Sequence, residues 1–261
     1  MKPQKIGRRA LLACAAALAV FSGKLTQADA GYIHELSEND AAKFLLSRKL
    51  TFLGGAELDE IDQTMVESLK DLTIASGDYV PDLILTSKDE TERRAIKTVR
   101  EYDAAISQGF FARTGKDMKL QGWFVLTSDV FKALATAKPA RQSHFCPGSE
   151  ALHDASTLSA DLARELRDEA LTGTIQDIVS DKGFRLDLSS PYSLTVERNF
   201  RTYIQEIFRA DLDNDGLEEM LVAVHRRAIG GTLAWTSTMV LGRDSETALI
   251  SEKRQTGVLE T

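Results

Sequence analysis

The chain has 261 residues, 43% of them hydrophobic, and a formal net charge of −7 at pH 7. That apolar share is ample for a buried core and excludes a disordered chain. The acidic balance repels phosphate backbones and anionic lipid, so neither nucleic acid nor a charged membrane surface is an expected partner.

The N-terminus reads as an export signal. Lys2, Lys5, Arg8 and Arg9 make a positive start, Ala10 to Phe21 is an uncharged apolar run of twelve residues, and Ala28-Asp29-Ala30 places small side chains where a signal peptidase cuts. Residues 1–30 are expected to be removed, leaving a mature domain over 31–261 that is periplasmic or secreted. Spanning a bilayer takes about 18 apolar residues, and no stretch supplies them, so no membrane span is expected after cleavage. Cleavage removes five basic residues (Lys2, Lys5, Arg8, Arg9, Lys24) and Asp29, which leaves 27 basic and 38 acidic residues and a net charge of −11. Gly7-Arg8-Arg9-Ala10-Leu11-Leu12 resembles the twin-arginine export signal, which implies folding before export. Cys14 leaves with the signal, and Cys146 remains as a lone thiol, expected to be a buried small side chain.

Residues 31–180 read as a mainly helical half. Ser37 and Asp40 look like a helix start, and Ala41, Phe44 and Leu45 continue it to about Ser47. Leu58, Ile61, Met65, Leu69 and Leu72 fall at intervals of three and four, which predicts a second helix. Ser87-Lys88-Asp89-Glu90 reads as a capping box opening a third, with Ile96, Val99, Tyr102 and Ile106 on its apolar face and Gly109 at its end. Leu120 to Leu126 predicts a short strand, 129–137 a helix, 138–158 a connecting loop and 158–171 a further helix.

Residues 184–250 read as β-rich. Phe184 to Leu188 alternates, Ser189-Ser190-Pro191 interrupts, and three strands follow. The first spans 202–210, with Ile204, Phe208 and Leu212 in one alternating set. The second spans 220–226 and is apolar on both faces, as a central strand is. A glycine turn at 229–232 leads to the third, 232–242, with Leu233, Trp235, Met239 and Leu241 on one side. The fold class expected is α+β, a helix-rich N-terminal half packed on a C-terminal antiparallel meander.

The chemistry concentrates between the first two strands of that meander. Asp211-Leu212-Asp213-Asn214-Asp215-Gly216-Leu217-Glu218-Glu219 puts carboxylates at loop positions one, three and five and a permissive glycine at six. Calcium takes six to eight oxygens, which alternate side chains of a tight loop can supply. The expected ligands are Asp211, Asp213, Asp215, the Leu217 carbonyl and Glu219, around one structural calcium ion. Asp211, Asp213, Asp215, Gly216 and Glu219, followed by Met220-Leu221-Val222, resemble the calcium loop of FG-GAP repeats. In that family an acidic residue at position nine completes the site and an apolar strand follows. The first six residues are also similar to an EF-hand, but Val222 stands at position twelve, where an EF-hand has a bidentate carboxylate. The resemblance covers about a dozen residues, and it implies loop chemistry and not a family function.

No nucleophile elbow or phosphate-binding glycine loop is present. Of the four histidines, His144 and His153 flank Cys146, and His225 lies on a predicted strand next to Arg226. The expected function is a soluble, non-enzymatic binding protein, its partner another envelope or secreted protein. The alternative is an exported hydrolase with a dispersed site, for which Cys146, His153 and a carboxylate would have to meet.

Overall fold

A computed structural model describes residues 42–52, 57–75, 79–145, 151–165 and 170–253. The expected export segment 1–30, the expected helix start at Ser37 and Asp40, Cys146 and the C-terminal 254–261 lie outside the described residues. Among the described residues no helix is long and apolar enough to cross a membrane.

The first described element is a strand where a helix was expected. β1 (Lys43–Thr51) pairs antiparallel with β2 (Glu57–Asp62), Phe44 opposite Ile61. Ala42, Phe44 and Leu46 are buried while Leu45 is 71% exposed. The buried set therefore has the two-residue period of a strand, and the Leu45 that completes a helical spacing is the side chain that faces solvent.

The second expected helix is broken in its middle. Leu58 and Ile61 belong to β2, and Asp62 caps a single 3-10 turn (Gln63–Met65) by accepting from the Thr64 amide at 2.9 Å. Only α1 (Val66–Leu69) is α-helical.

Ser87 to Glu90 closes a hairpin between β3 (Leu83–Thr86) and β4 (Arg93–Ile96). The Ser87 amide donates to the Glu92 carbonyl at 2.9 Å, and the Ser87 hydroxyl accepts from the Glu92 amide at 3.0 Å. The helix foreseen there begins later, as α2 (Val99–Ser107), with a capping box formed by Thr98 and Glu101. Gly109, with φ +81°, follows its end.

α3 (Gly115–Thr136) absorbs both the expected strand at 120–126 and the helix after it. Leu120, Phe124, Thr127, Phe131 and Leu134 are buried at alternating steps of four and three, one continuous helical stripe. Of the helix expected at 158–171, the described residues hold a 3-10 turn (Ala160–Ala163), and α4 (Ile175–Asp181) follows.

The C-terminal half is a larger sheet than expected. β5 (Arg185–Ser190), β6 (Ser193–Glu197), β7 (Phe200–Ala210), β8 (Glu219–Ala228), β9 (Ala234–Gly242) and β10 (Ser251–Glu252) form a curled antiparallel sheet in the order β10-β9-β8-β7-β6-β5. Strand outweighs helix, and the N-terminal half contributes two hairpins of its own, which overturns the helix-rich half and the α+β division built on it.

β8 is buried on both faces. Leu221 and Ala223 join one core with Phe44, Phe124 and Val240; Met220, Val222 and Val224 join a second with Leu158, Ile175 and Leu241. A bulge in β7 between Glu206 and Phe208 changes which face the strand presents. Ile204 consequently lies in the second core while Phe208 and Leu212 lie in the first, Phe208 with its ring 5.9 Å from that of Phe44. The single alternating set expected for these three is corrected by that one extra residue.

Glu165 fixes the β6–β7 turn. It is 8% exposed and accepts from the Arg198 guanidinium (3.0 Å), the Asn199 amide (2.8 Å) and side chain (2.9 Å), and the Phe200 amide (3.0 Å). Burial pushes its carboxyl up, and these donors more than offset that, so the group stays ionised below its ordinary range. Removing the carboxylate takes one shared acceptor away from four part-buried donors. Glu165→Ala is expected to lower stability by about 3 kcal/mol in urea unfolding, with Glu165→Gln losing less.

Candidate metal centre

The sheet presents the acidic loop at the end of its two longest strands. β7 ends at Ala210, which pairs with Glu219 at the start of β8, so Asp211 and Glu219 stand at the hairpin mouth and the loop closes over them. Asn214 and Gly216 take left-handed backbone, φ 67° and 91°. Asn tolerates that conformation and glycine adopts it without strain, which lets the chain turn sharply enough to bring alternate side chains to one side.

Each carboxylate has one oxygen anchored by a loop amide. Asp211 Oδ2 accepts from the Gly216 amide (3.1 Å), Asp213 Oδ1 from the Asp215 amide (3.1 Å), Asp215 Oδ1 from the Leu217 amide (2.7 Å), and Glu219 Oε2 from the Leu212 amide (2.8 Å). With the backbone so pinned, one oxygen from each of Asp211, Asp213, Asp215 and Glu219 lies within 4.8 Å of the others. Oxygens bound to one calcium at 2.3–2.6 Å are at most about 5 Å apart, so the group is the right size to surround a single ion.

Two of these side chains are out of water. Asp211 is 4% exposed and Glu219 fully buried, whereas Asp213 and Asp215 are exposed. Asp211 Oδ1 and Glu219 Oε1 are buried and have no hydrogen-bond partner. An unsatisfied buried oxygen costs about 1–3 kcal/mol, and more when charged. Burial, aided by the charges of Asp213 and Asp215 and opposed by the Leu212 amide, pushes the Glu219 carboxyl up to about 7. The cluster is a group that could bind a metal ion.

The loop is braced from outside. Lys138 and Asp211 exchange backbone hydrogen bonds at 2.9 Å in both directions, the Arg141 and Gln142 amides donate to the Gly216 carbonyl (2.9 and 3.1 Å), and the Glu218 amide donates to the Gln142 carbonyl (2.8 Å). This strap brackets Leu217 from one side. Glu218 stands apart from the cluster, accepting from the Ser143 hydroxyl at 2.7 Å. From the C-terminal side, Lys253 Nζ lies 3.7 Å from Asp215 Oδ2.

Sequence reasoning missed both braces. Residues 138–142 read as connecting loop, and Lys253 belongs to a tail with no periodic signal. Val222, the residue at position twelve of an EF-hand reading, is fully buried within β8.

Comparison with protein family models, curated proteins and solved structures finds no match to the chain in any of the three. No family is shown. The likeness to FG-GAP and EF-hand loops rests on the acidic loop alone, and only its cluster of carboxylates is carried by the structure.

The other candidate groups do not assemble with this cluster. The His153 ring nitrogen Nε2 lies 2.6 Å from the Leu188 carbonyl. His144 Nδ1 is buried without a hydrogen-bond partner. His225 hydrogen-bonds Thr236 through Nδ1 at 2.8 Å and stacks on Tyr203; burial, and then the nearby Arg48 charge, lower its pKa.

Proposed function

We propose that the chain is an exported, non-enzymatic binding protein whose central hairpin is held by one structural calcium ion. The observation that carries the metal reading is the pair of buried, unpartnered carboxylate oxygens on Asp211 and Glu219, both members of the cluster of four acidic groups. Calcium is the ion of choice because the donors are all hard oxygens, without the nitrogen or sulfur that zinc takes. The Leu217 carbonyl completes the set. Its amide is turned to Asp215 while the strap bonds to the residues on either side of it, and in extended backbone the carbonyl points the same way as the amide.

A structural role is favoured over a catalytic one by what meets at the loop. Three segments distant in sequence, 138–142, 211–219 and 251–253, converge there, so an ion would fasten them together. Support for a binding role comes from the other end of β8, where Ile229 and Leu233 are half-exposed (54% and 51%) beside the Phe200–Trp235 ring pair. Exposed apolar side chains grouped at a turn suit contact with another envelope or secreted protein.

Calorimetric titration of the chain from Gly31 with calcium tests the metal reading. One site is expected, and Asp213→Ala combined with Asp215→Ala should abolish the heat; binding that survives the double substitution places the ion elsewhere. Export is tested by mass spectrometry of protein from the cell envelope, with Gly31 expected as first residue and an intact Met1 as the contrary result.

A further inference from the structure

We infer that Lys253 is a resident counter-ion of the acidic loop, competing with the divalent ion for Asp215 and coupling occupancy of the loop to the docking of β10. The inference rests on the metal reading above and deepens it. The Lys253 ammonium sits 3.7 Å from Asp215 Oδ2 and 3.0 Å from Asp244 Oδ1, with its side chain only 22% exposed. Its route there is specified by the backbone. A Cβ at Gly242 would lie 2.4 Å from Lys253 Cε and 2.6 Å from Cγ, so the lysine stem runs directly over position 242 on its way to the loop and would have to shift for a side chain there. The residue is also anchored in register: β10 pairs Ser251 with Gly242 and Glu252 with Leu241, and the Lys253 amide donates to the Val240 carbonyl at 2.9 Å.

The electrostatics favour that placement while the loop is anionic. Burial lowers the lysine pKa, but Asp244, then Asp215 and Glu219, outweigh it and keep the ammonium charged. A doubly charged ion among the same carboxylates repels the ammonium and claims the Asp215 oxygen it faces. Asp244, already within hydrogen-bond distance, is where it can retreat. Lys253 then ceases to tie β10, a strand of two residues, to the loop. The lysine therefore weakens metal affinity and gives the C-terminal segment two levels of order, set by the ion.

Calorimetry with calcium on wild type, Lys253→Met and Gly242→Ala, together with amide hydrogen exchange at Ser251–Lys253, tests this. Lys253→Met keeps an unbranched stem over Gly242 and should bind calcium about tenfold more tightly. Gly242→Ala leaves the net charge unchanged but displaces the stem, and it should also tighten binding, which separates contact from a general charge effect. In wild type, calcium should speed exchange at the Lys253 amide. Equal or weaker calcium affinity in Lys253→Met, or calcium that slows exchange there, overturns the inference and leaves the metal site standing. Absence of binding heat in both wild type and Lys253→Met removes the metal reading and this inference with it.

Discussion

In calcium at about a thousand times its Kd, the chain from Gly31 is expected to resist urea by about 4 kcal/mol more than in chelator. Glu219→Gln should reverse sign between the two conditions. In chelator the substitution removes a carboxyl group that is fully buried and has one oxygen without a partner, so the variant should unfold at equal or higher urea than wild type. In calcium it deletes a charged ligand and should forfeit most of the gain. Asp213→Ala combined with Asp215→Ala should lose the calcium gain while changing little in chelator, since both side chains are exposed. This crossing pattern is not what a merely solvated acidic turn produces, because calcium would then shift no midpoint.

The second large effect is on pH. Glu219 has its carboxyl raised from 4.5 to about 7 in the fold, so the folded chain binds that proton more tightly than the unfolded one. Its contribution is most favourable below the unfolded value and is lost as pH rises through the folded value. In chelator, stability should therefore decline from about pH 5 to about pH 8, by about 3 kcal/mol if this group acts alone. Saturating calcium should flatten or invert that slope, because the ion prefers the ionised form. Glu219→Gln should flatten it without calcium. Urea midpoints at a series of pH values, with and without chelator, read all three; a chelated wild type that gains stability between pH 5 and 8 contradicts the assignment of the buried carboxyl.

The part of the fold legible in the sequence is the part whose local pattern and tertiary setting agree. β8 announces itself because Met220 to Val224 is apolar at every position, which suits a strand covered on both faces. The turn at Gly230, with φ +75°, and the acidic loop mark its two ends. The N-terminal half misled because short apolar runs fit two periods at once. Phe44 and Leu45 complete a helical spacing, yet Phe44 pairs with Ile61 across a hairpin and Leu45 is turned to water. The capping box at Ser87 is chemically sound, but a serine and an aspartate two residues on stabilise a tight turn equally well. Only the partner strand decides between them, and that strand comes later in the chain.

The site divides along the same line. The four carboxylates that converge lie within nine residues of one another, so the spacing alone places them. The strap from Lys138 to Gln142 and the approach of Lys253 come from about 70 residues upstream and about 40 downstream. No local pattern marks them, because what directs them is backbone pairing with residues distant in sequence. The clamp by Glu165 was equally invisible, since one glutamate among many acquires meaning only when the turn at Arg198 and Asn199 closes around it.

The most direct test is a crystal structure of the chain from Gly31 grown with calcium and, in parallel, with terbium, read by anomalous scattering. A single peak is predicted at the β7–β8 loop, with oxygens of Asp211, Asp213, Asp215, Glu219 and the Leu217 carbonyl at about 2.3–2.6 Å. A loop without a peak, with the Asp211 and Glu219 oxygens paired to protein or water instead, would contradict it.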